Sequence, residues 1–470
     1  MFQITLDELA KVVEGQILPG PLAGDQMITG ISIDSRNISQ GNLFVAIPGD
    51  RFDGHQFTQE AVAKGAQTAV IAGDKRETAV GEVLSKAAVV LVEDTKKALR
   101  KLASWYKRKF DIPTVVVTGT NGKTTTKDMI AEVLSSRYRV QKSPQSYNNL
   151  VGVPLTLFQL NSRSEALVLE LGMSSPNEIG ILTKIANPDV GVITNIGPAH
   201  LESMGSVERI ARAKFELPEN MSPPGTLILN ADDPILARRI RQKKQDERTI
   251  SFGIESQADF AADRIGLNGD GHINFRVNKD LSINLRLLGT HNVYNALAAF
   301  AVGRLKEVDP QKIKQSLEKY EPSYLRMELV RIGNIRVIND SYNANPISME
   351  KALDTLKSIR TSGRKVAVLG DMLELGENAS EFHLEVGSKV AQSGVDFLIV
   401  VGALARFIGA GAREAGMSSD QVLTFDRNEQ VSLYLLQHLR DGDLLLVKGS
   451  RKMKTEEVVL SLKAHYARQN

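Results

Sequence analysis

The stretch Val115-Val116-Val117-Thr118-Gly119-Thr120-Asn121-Gly122-Lys123-Thr124-Thr125 decides how this chain reads. Its opening residues are β-branched, as in a strand. A glycine turn follows, then Ile130, Val133 and Leu134 at helical spacing. A strand running through such a turn into a helix is the setting of a phosphate-binding loop. Glycines let backbone N–H groups turn toward a phosphate, and the helix N-terminus adds positive potential. Lys123 would reach the outer phosphates, and the Thr124 hydroxyl could hold magnesium. The spacing is two residues shorter than the usual G-x-x-x-x-G-K-[ST], because Val117 stands where the first glycine would be. A turn that merely caps a helix has no need of Lys123 followed by three threonines. ATP binding by Gly119, Thr120, Asn121, Gly122, Lys123, Thr124 and Thr125 is therefore the expectation.

A phosphate loop alone does not choose among a kinase, a mechanical ATPase, a nucleotide switch and a ligase. Three later residues bear on the choice. Glu170 ends the apolar run Leu167-Val168-Leu169, which puts a carboxylate at a strand's C-terminal end, where open α/β sheets bind ligands. It is either a magnesium ligand or an incidental strand-end glutamate. His200 follows residues 192–199, again just past a buried strand. It reads as a metal ligand or phosphate donor, or as a loop histidine holding its own turn. Lys214 lies on a helical stretch, residues 207–216, where a solvated lysine is the plainer reading.

On the N-terminal side, apolar runs at 43–47 and 68–72 alternate with a helical stretch at 59–64. Residues 95–109 read as a helix, and Pro113 punctuates the chain before the loop-bearing strand. Continuous apolar runs at 166–171 and 190–196 predict a parallel sheet buried on both faces. The alanine-rich helix at 289–306, followed by Glu321-Pro322, marks a boundary near residue 320. Strands at 335–339, 365–369, 397–401 and 444–448 then alternate with helices. The expected fold is α/β in three domains: a small N-terminal α/β unit (1–94), a central P-loop parallel-sheet ATPase-like domain (95–320) and a C-terminal Rossmann-like domain (321–470).

A single core stops growing beyond about 250 to 300 residues, so a chain of 470 should divide in this way. The 58 basic and 55 acidic residues nearly cancel, and a net charge of +3 leaves no electrostatic footprint for nucleic acid or an anionic membrane. With no cysteine there is no disulfide, thiolate metal site or cysteine nucleophile, which fits the cytoplasm. The first residues carry Asp7 and Glu8 without a basic n-region, unlike a secretory signal. No apolar run approaches the roughly 18 residues of a membrane span.

The motifs together resemble those of the Mur ligase family, over nearly the whole chain. The shortened loop resembles that family's phosphate loop, and Gly289-Thr290-His291-Asn292-Val293-Tyr294-Asn295-Ala296 resembles its adenine-contacting helix start. Folylpolyglutamate synthases share both features. Three further segments are similar to the branch that extends a UDP-N-acetylmuramoyl-tripeptide with D-alanyl-D-alanine: Asn148-Asn149-Leu150-Val151-Gly152-Val153-Pro154, Asp340-Ser341-Tyr342-Asn343-Ala344-Asn345-Pro346 and Leu369-Gly370-Asp371-Met372-Leu373-Glu374-Leu375-Gly376. The Asp-Asn-Pro-Arg motif typical of members adding diaminopimelate or lysine is absent.

The resemblance implies an ATP-dependent peptide ligase of peptidoglycan precursor synthesis, working through an acyl phosphate and releasing ADP and phosphate. It implies two magnesium ions with Thr124, Glu170 and His200 at the metal site, and Asn292, Asn295, Arg326 and Asp340 completing the ATP site. Lys123, Lys214 and His200 would be catalytic, with Lys214 carbamylated into a carboxylate. Asp34, Ser35, Arg36, Asp53 and His55 would bind the uridine part of the substrate. Asn148, Asn149, Asn343, Asn345 and Lys448 complete the expected substrate contacts. A monomer is expected of a three-domain enzyme that closes on its substrates. Another step of the same family, a folate-tailing ligase and a nucleotide switch are the alternatives.

Overall fold

A computed structural model describes the chain apart from residues 1, 19–20, 22–23, 50–51, 78–80, 146, 243–247, 269–270 and 468–470. The loop-bearing strand, Thr114–Thr118, is buried at all five positions. Among the described residues it lies within a nine-stranded sheet, flanked by Val190–Ile193 and Ala166–Glu170, both parallel to it. Neighbours on both sides continue the parallel sheet, so the loops after these three strands open at one edge into one crevice. That is why residues distant in sequence converge on the phosphate loop.

The sheet departs from the expected all-parallel form at one edge. Phe260–Leu267, Ile273–Val277 and Leu281–Asn284 form an antiparallel meander. Ile273, Phe275 and Val277 alternate with polar residues and join one core with Ile283 and the helix His291–Leu305. Asn278 and Lys279, both at positive φ, turn the hairpin. The helix His291–Leu305 is apolar nearly all round because it is sandwiched between this sheet and the phosphate-loop helix Lys123–Ser135. A Cβ on its Gly303 would meet Val133 Cγ1 at 2.6 Å, so the two helices pack at close range there.

At the N-terminal end a sheet of five strands among the described residues, parallel except for Gln16–Leu18, is tied to the central unit by the helix Thr95–Lys107. That helix packs on Leu6–Val13, Gly152–Leu157 and Glu178–Ala186. Phe2 meets Tyr106 and Phe158 with ring centroids 5.2 and 5.3 Å apart. The N-terminal segment therefore shares the core of the central unit. The C-terminal sheet has six strands among the described residues, parallel apart from the hairpin Glu328–Ile332 with Ile335–Asp340. No helix among the described residues is long and apolar enough to cross a membrane.

Candidate active site

The phosphate loop is clamped by the loop of the neighbouring strand. Thr120 N–H donates to Asn195 O and Asn121 N–H to Asn195 Oδ1, both at 2.9 Å. In return, Thr194 Oγ1 and Asn195 Nδ2 donate to Asn121 O at 2.6 and 3.0 Å. Gly119 sits at φ 145°, and a Cβ there would lie 1.9 Å from Thr194 Oγ1. Gly119→Ala is expected to lower kcat/KM for ATP about tenfold, the effect of roughly 1–3 kcal/mol of backbone strain placed at the site. Steady-state kinetics at unchanged substrate levels would test this, and parent-like ATP dependence would show that the clamp is unimportant.

Lys123 folds over its own loop, donating to Gly119 O at 2.9 Å and Thr120 O at 3.0 Å. Desolvation lowers its pKa from the ordinary lysine value, and Glu170 partly offsets this. Thr124 Oγ1 donates to Glu170 Oε2 at 2.7 Å and accepts from Arg326 at 3.1 Å. Glu170 is 1% exposed, and its other oxygen accepts from Asn148 Nδ2 at 2.7 Å. The Arg326 guanidinium stacks 3.9 Å over the Tyr342 ring.

Lys214 is buried at the cavity wall and has no hydrogen-bond or ion-pair partner among the described residues. Burial, then the charge of Lys123, hold its pKa well below the usual lysine value. His200, in a left-handed conformation at φ 54°, donates from Nδ1 to Glu374 Oε2 at 2.6 Å. Glu374 comes from the C-terminal domain, so this pair crosses the cleft. Among the described residues no group of three or more His, Asp or Glu side chains forms a ready cation cage. Magnesium, which keeps several waters and takes one or two carboxylates together with phosphates, does not need one. The adjacent Thr124 hydroxyl and buried Glu170 carboxylate fit that demand.

At the other end of the loop, Thr126 Oγ1 donates to Asn295 Oδ1 at 3.0 Å and Asn295 Nδ2 to Asn292 Oδ1 at 2.8 Å. These two asparagines therefore brace the helix start against the loop. His291 Nδ1 beside them is buried without a partner among the described residues, and burial pushes the imidazole down to about 4, leaving it neutral with a nitrogen that a base edge can satisfy. From the C-terminal domain, Asn345 Nδ2 donates to Asn121 Oδ1 at 2.8 Å and Asn121 Nδ2 returns to Asn345 Oδ1 at 3.3 Å. Asp340 accepts from Lys448 Nζ at 2.5 Å, and the same ammonium donates to Asn343 O at 2.9 Å. Asp340 and Lys448, expected to contact different substrates, thus first bind each other.

The expected ATP and metal residues, with Lys214, Asn148, Asn149, Asn343, Asn345 and Lys448, line one cavity of 710 Å³. Asp34, Ser35 and Arg36 line a second cavity of 1550 Å³, together with Phe2, Tyr147 and Phe158. Asp53 and His55 line neither cavity. The buried His55 donates from Nδ1 to Asp53 at 2.5 Å and accepts Ala72 N–H at Nε2 at 3.0 Å, so the pair braces the turn that puts Gly54 on the second cavity. Sequence reasoning assigned no role to His291 or Glu374, although both lie in quoted segments. Their packing partners lie on other elements, and no local signal points to them.

Known proteins align with the chain along most of its length. Models of the Mur ligase family match residues 27–107 (catalytic domain), 117–303 (middle domain) and 325–451 (glutamate ligase domain). The UDP-N-acetylmuramoyl-tripeptide--D-alanyl-D-alanine ligase of Bacillus subtilis is 36% identical over 464 residues, 98% of this chain and 99% of that one. The Escherichia coli protein of the same name is 30% identical over 98% of this chain and 99% of its own. Among solved structures, MurF from Acinetobacter baumannii superposes with a TM-score of 0.88 at 29% identity, covering 99% of both chains. MurF from Thermotoga maritima in complex with ADP gives 0.81 at 28% identity, over 94% of this chain and 98% of that one.

Proposed function

The chain belongs to the Mur ligase family, and from that premise we propose how its residues carry an ATP-dependent ligation of D-alanyl-D-alanine to UDP-N-acetylmuramoyl-tripeptide, giving the pentapeptide precursor of peptidoglycan, ADP and phosphate. The observation that carries this reading is that the phosphate loop and the segment from Asp340 to Asn345 line one cavity. A nucleotide switch has no use for the second of these.

A carboxylate is a poor electrophile, so the tripeptide must be activated before an amine can attack it. Its carboxylate oxygen attacks the γ-phosphorus of ATP. The new O–P bond replaces the bond to ADP, giving an acyl phosphate. The dipeptide amine then attacks the acyl carbon, its proton is lost and phosphate leaves. Two anions meet in the first step, and Lys123 and Arg326 are the cations at the loop that offset their repulsion. Magnesium bound at Thr124 and Glu170 would add charge neutralisation on the phosphates. Asn148 orients Glu170, and Glu374 fixes His200 with Nδ1 protonated, leaving Nε2 to face ligand or metal. Lys214, once carbamylated, would supply a carboxylate for a second magnesium.

In this reading residues 1–94 hold the uridine end of the substrate through Asp34, Ser35 and Arg36, residues 95–320 hold ATP, and residues 321–470 receive the dipeptide. The protein works as a cytoplasmic monomer. ADP release measured with ATP alone, with each peptide substrate alone and with both should require both. Running the assay with lysine- and diaminopimelate-containing tripeptides in parallel fixes the third residue. Rapid release with ATP alone would favour a switch, and release with folate and glutamate a folate-tailing ligase.

A further inference from the structure

One turn past Lys123, the same helix carries a second lysine, Lys127, that is 0% exposed and lines neither cavity. A buried ammonium is strongly disfavoured unless its N–H groups are matched. Here they are. Nζ donates to Ser143 O at 2.7 Å and Gln145 O at 3.1 Å, and lies 3.3 Å from Asp128 Oδ1. Asp128 is itself anchored by Lys142 at 2.6 Å and by Ser323 at 3.1 Å. None of the reaction steps described above uses this lysine.

What Lys127 holds is the strap that follows the edge strand Val140–Lys142. Ser143 N–H donates to Val168 O, and Ser143 Oγ accepts from Glu170 N–H at 3.2 Å, which stitches the strap to the strand ending in Glu170. Gln145 sits at φ 42°, a left-handed conformation that persists only where the surroundings enforce it. Beyond it, Tyr147 lines the second cavity, while its neighbour Asn148 donates to Glu170 in the first. Consecutive residues of one strap thus serve two different cavities, and Lys127 grips the strap just before they diverge. A Cβ on Gly152 would lie 2.8 Å from Tyr147 Cα, so the strap has no slack on its far side.

We propose that Lys127 is a positioning residue that fixes the wall shared by the two cavities, setting the binding surface for the uridine-linked substrate and the Asn148–Glu170 pair together. This rests on the ligase reading above. Lys127→Met keeps the side-chain length and removes the ammonium. Calorimetric titration with UDP-N-acetylmuramoyl-tripeptide, without ATP or magnesium, should give a Kd about tenfold weaker, and kcat should fall about tenfold, the scale of removing support one shell behind a ligand. KM for D-alanyl-D-alanine should stay near the parent value, since the contact of this cluster with the C-terminal domain, Ser323 to Asp128, does not run through the strap carbonyls that Lys127 holds. Asn148→Ala should reproduce the loss in kcat. The double variant should be no slower than the worse single one, because both act through the same strap.

An unchanged Kd, equal losses in every binding constant, or multiplying losses in the double variant would overturn the proposal. Lys127→Gln, which can still donate to one carbonyl, should show the same split at smaller size and serves if the methionine variant does not fold. A parent protein that neither binds the UDP-linked tripeptide nor releases ADP would overturn the ligase reading instead.

Discussion

Lys214→Ala is expected to lower kcat by roughly 10³-fold, the scale of removing one preorganised charge from a reacting phosphoryl group. An amine buried to 3% exposure without a partner among the described residues is a poor structural element, because no acceptor there matches its charge. Burial and the charge of Lys123 answer this by favouring the neutral amine. A neutral amine is nucleophilic: it attacks CO₂, a C–N bond forms and a proton leaves, and the side chain becomes a carboxylate. That product carries a negative charge close to Lys123, so the same neighbour that disfavours an ammonium there favours the carboxylate. Alanine leaves a slot of similar shape, and formate or acetate should enter it and restore part of the rate. The thermal midpoint should change little, because an unmatched amine contributes little beyond its packing. An alanine variant as active as the parent would remove the carbamate role, and a variant that is inactive because it unfolds would show in the melting curve.

The parts of this molecule that sequence makes legible are those whose side chains are buried on both faces or fixed by backbone geometry. The strands Thr114–Thr118, Phe397–Val401 and Leu444–Lys448 fall where their apolar runs place them, because a parallel strand between two helical layers has no polar face to blur the pattern. Gly119 and Gly122 are legible because left-handed backbone at close approach admits little else. The antiparallel edge from Phe260 to Asn284 was harder to read. Its strands are half-buried and interrupted by Arg264 and Gly266, and their register even shifts between Asp263 and Gly266. Pairings across the cleft are less legible still. His200 meets Glu374 from 174 residues away in another domain, whereas Asp340 meets Lys448 from 108 residues away inside the C-terminal sheet, where strand order rather than local sequence makes them neighbours. Nothing in the local sequence marks Lys127, whose burial follows from a strap crossing above it.

Lys123→Met should also cost roughly 10³-fold in kcat, since it deletes the cation closest to the phosphate loop while keeping the side chain's apolar stem. The same substitution tests the link between the two buried lysines. Lys123 is one of the two causes that depress the pKa of Lys214. Without it, the Lys214 amine moves back toward its ordinary value, so at any given pH a smaller fraction is neutral and able to take up CO₂. The carbamate that does form also loses its neighbouring cation. Both effects have the same sign, and loading of Lys214 should shift to higher pH in the variant. Carbon-13 spectra recorded with labelled bicarbonate across a pH series would read the carbamate directly, independently of turnover. A loading curve that coincides with that of the parent would mean that Lys123 acts on the phosphates alone, and that burial by itself keeps Lys214 neutral.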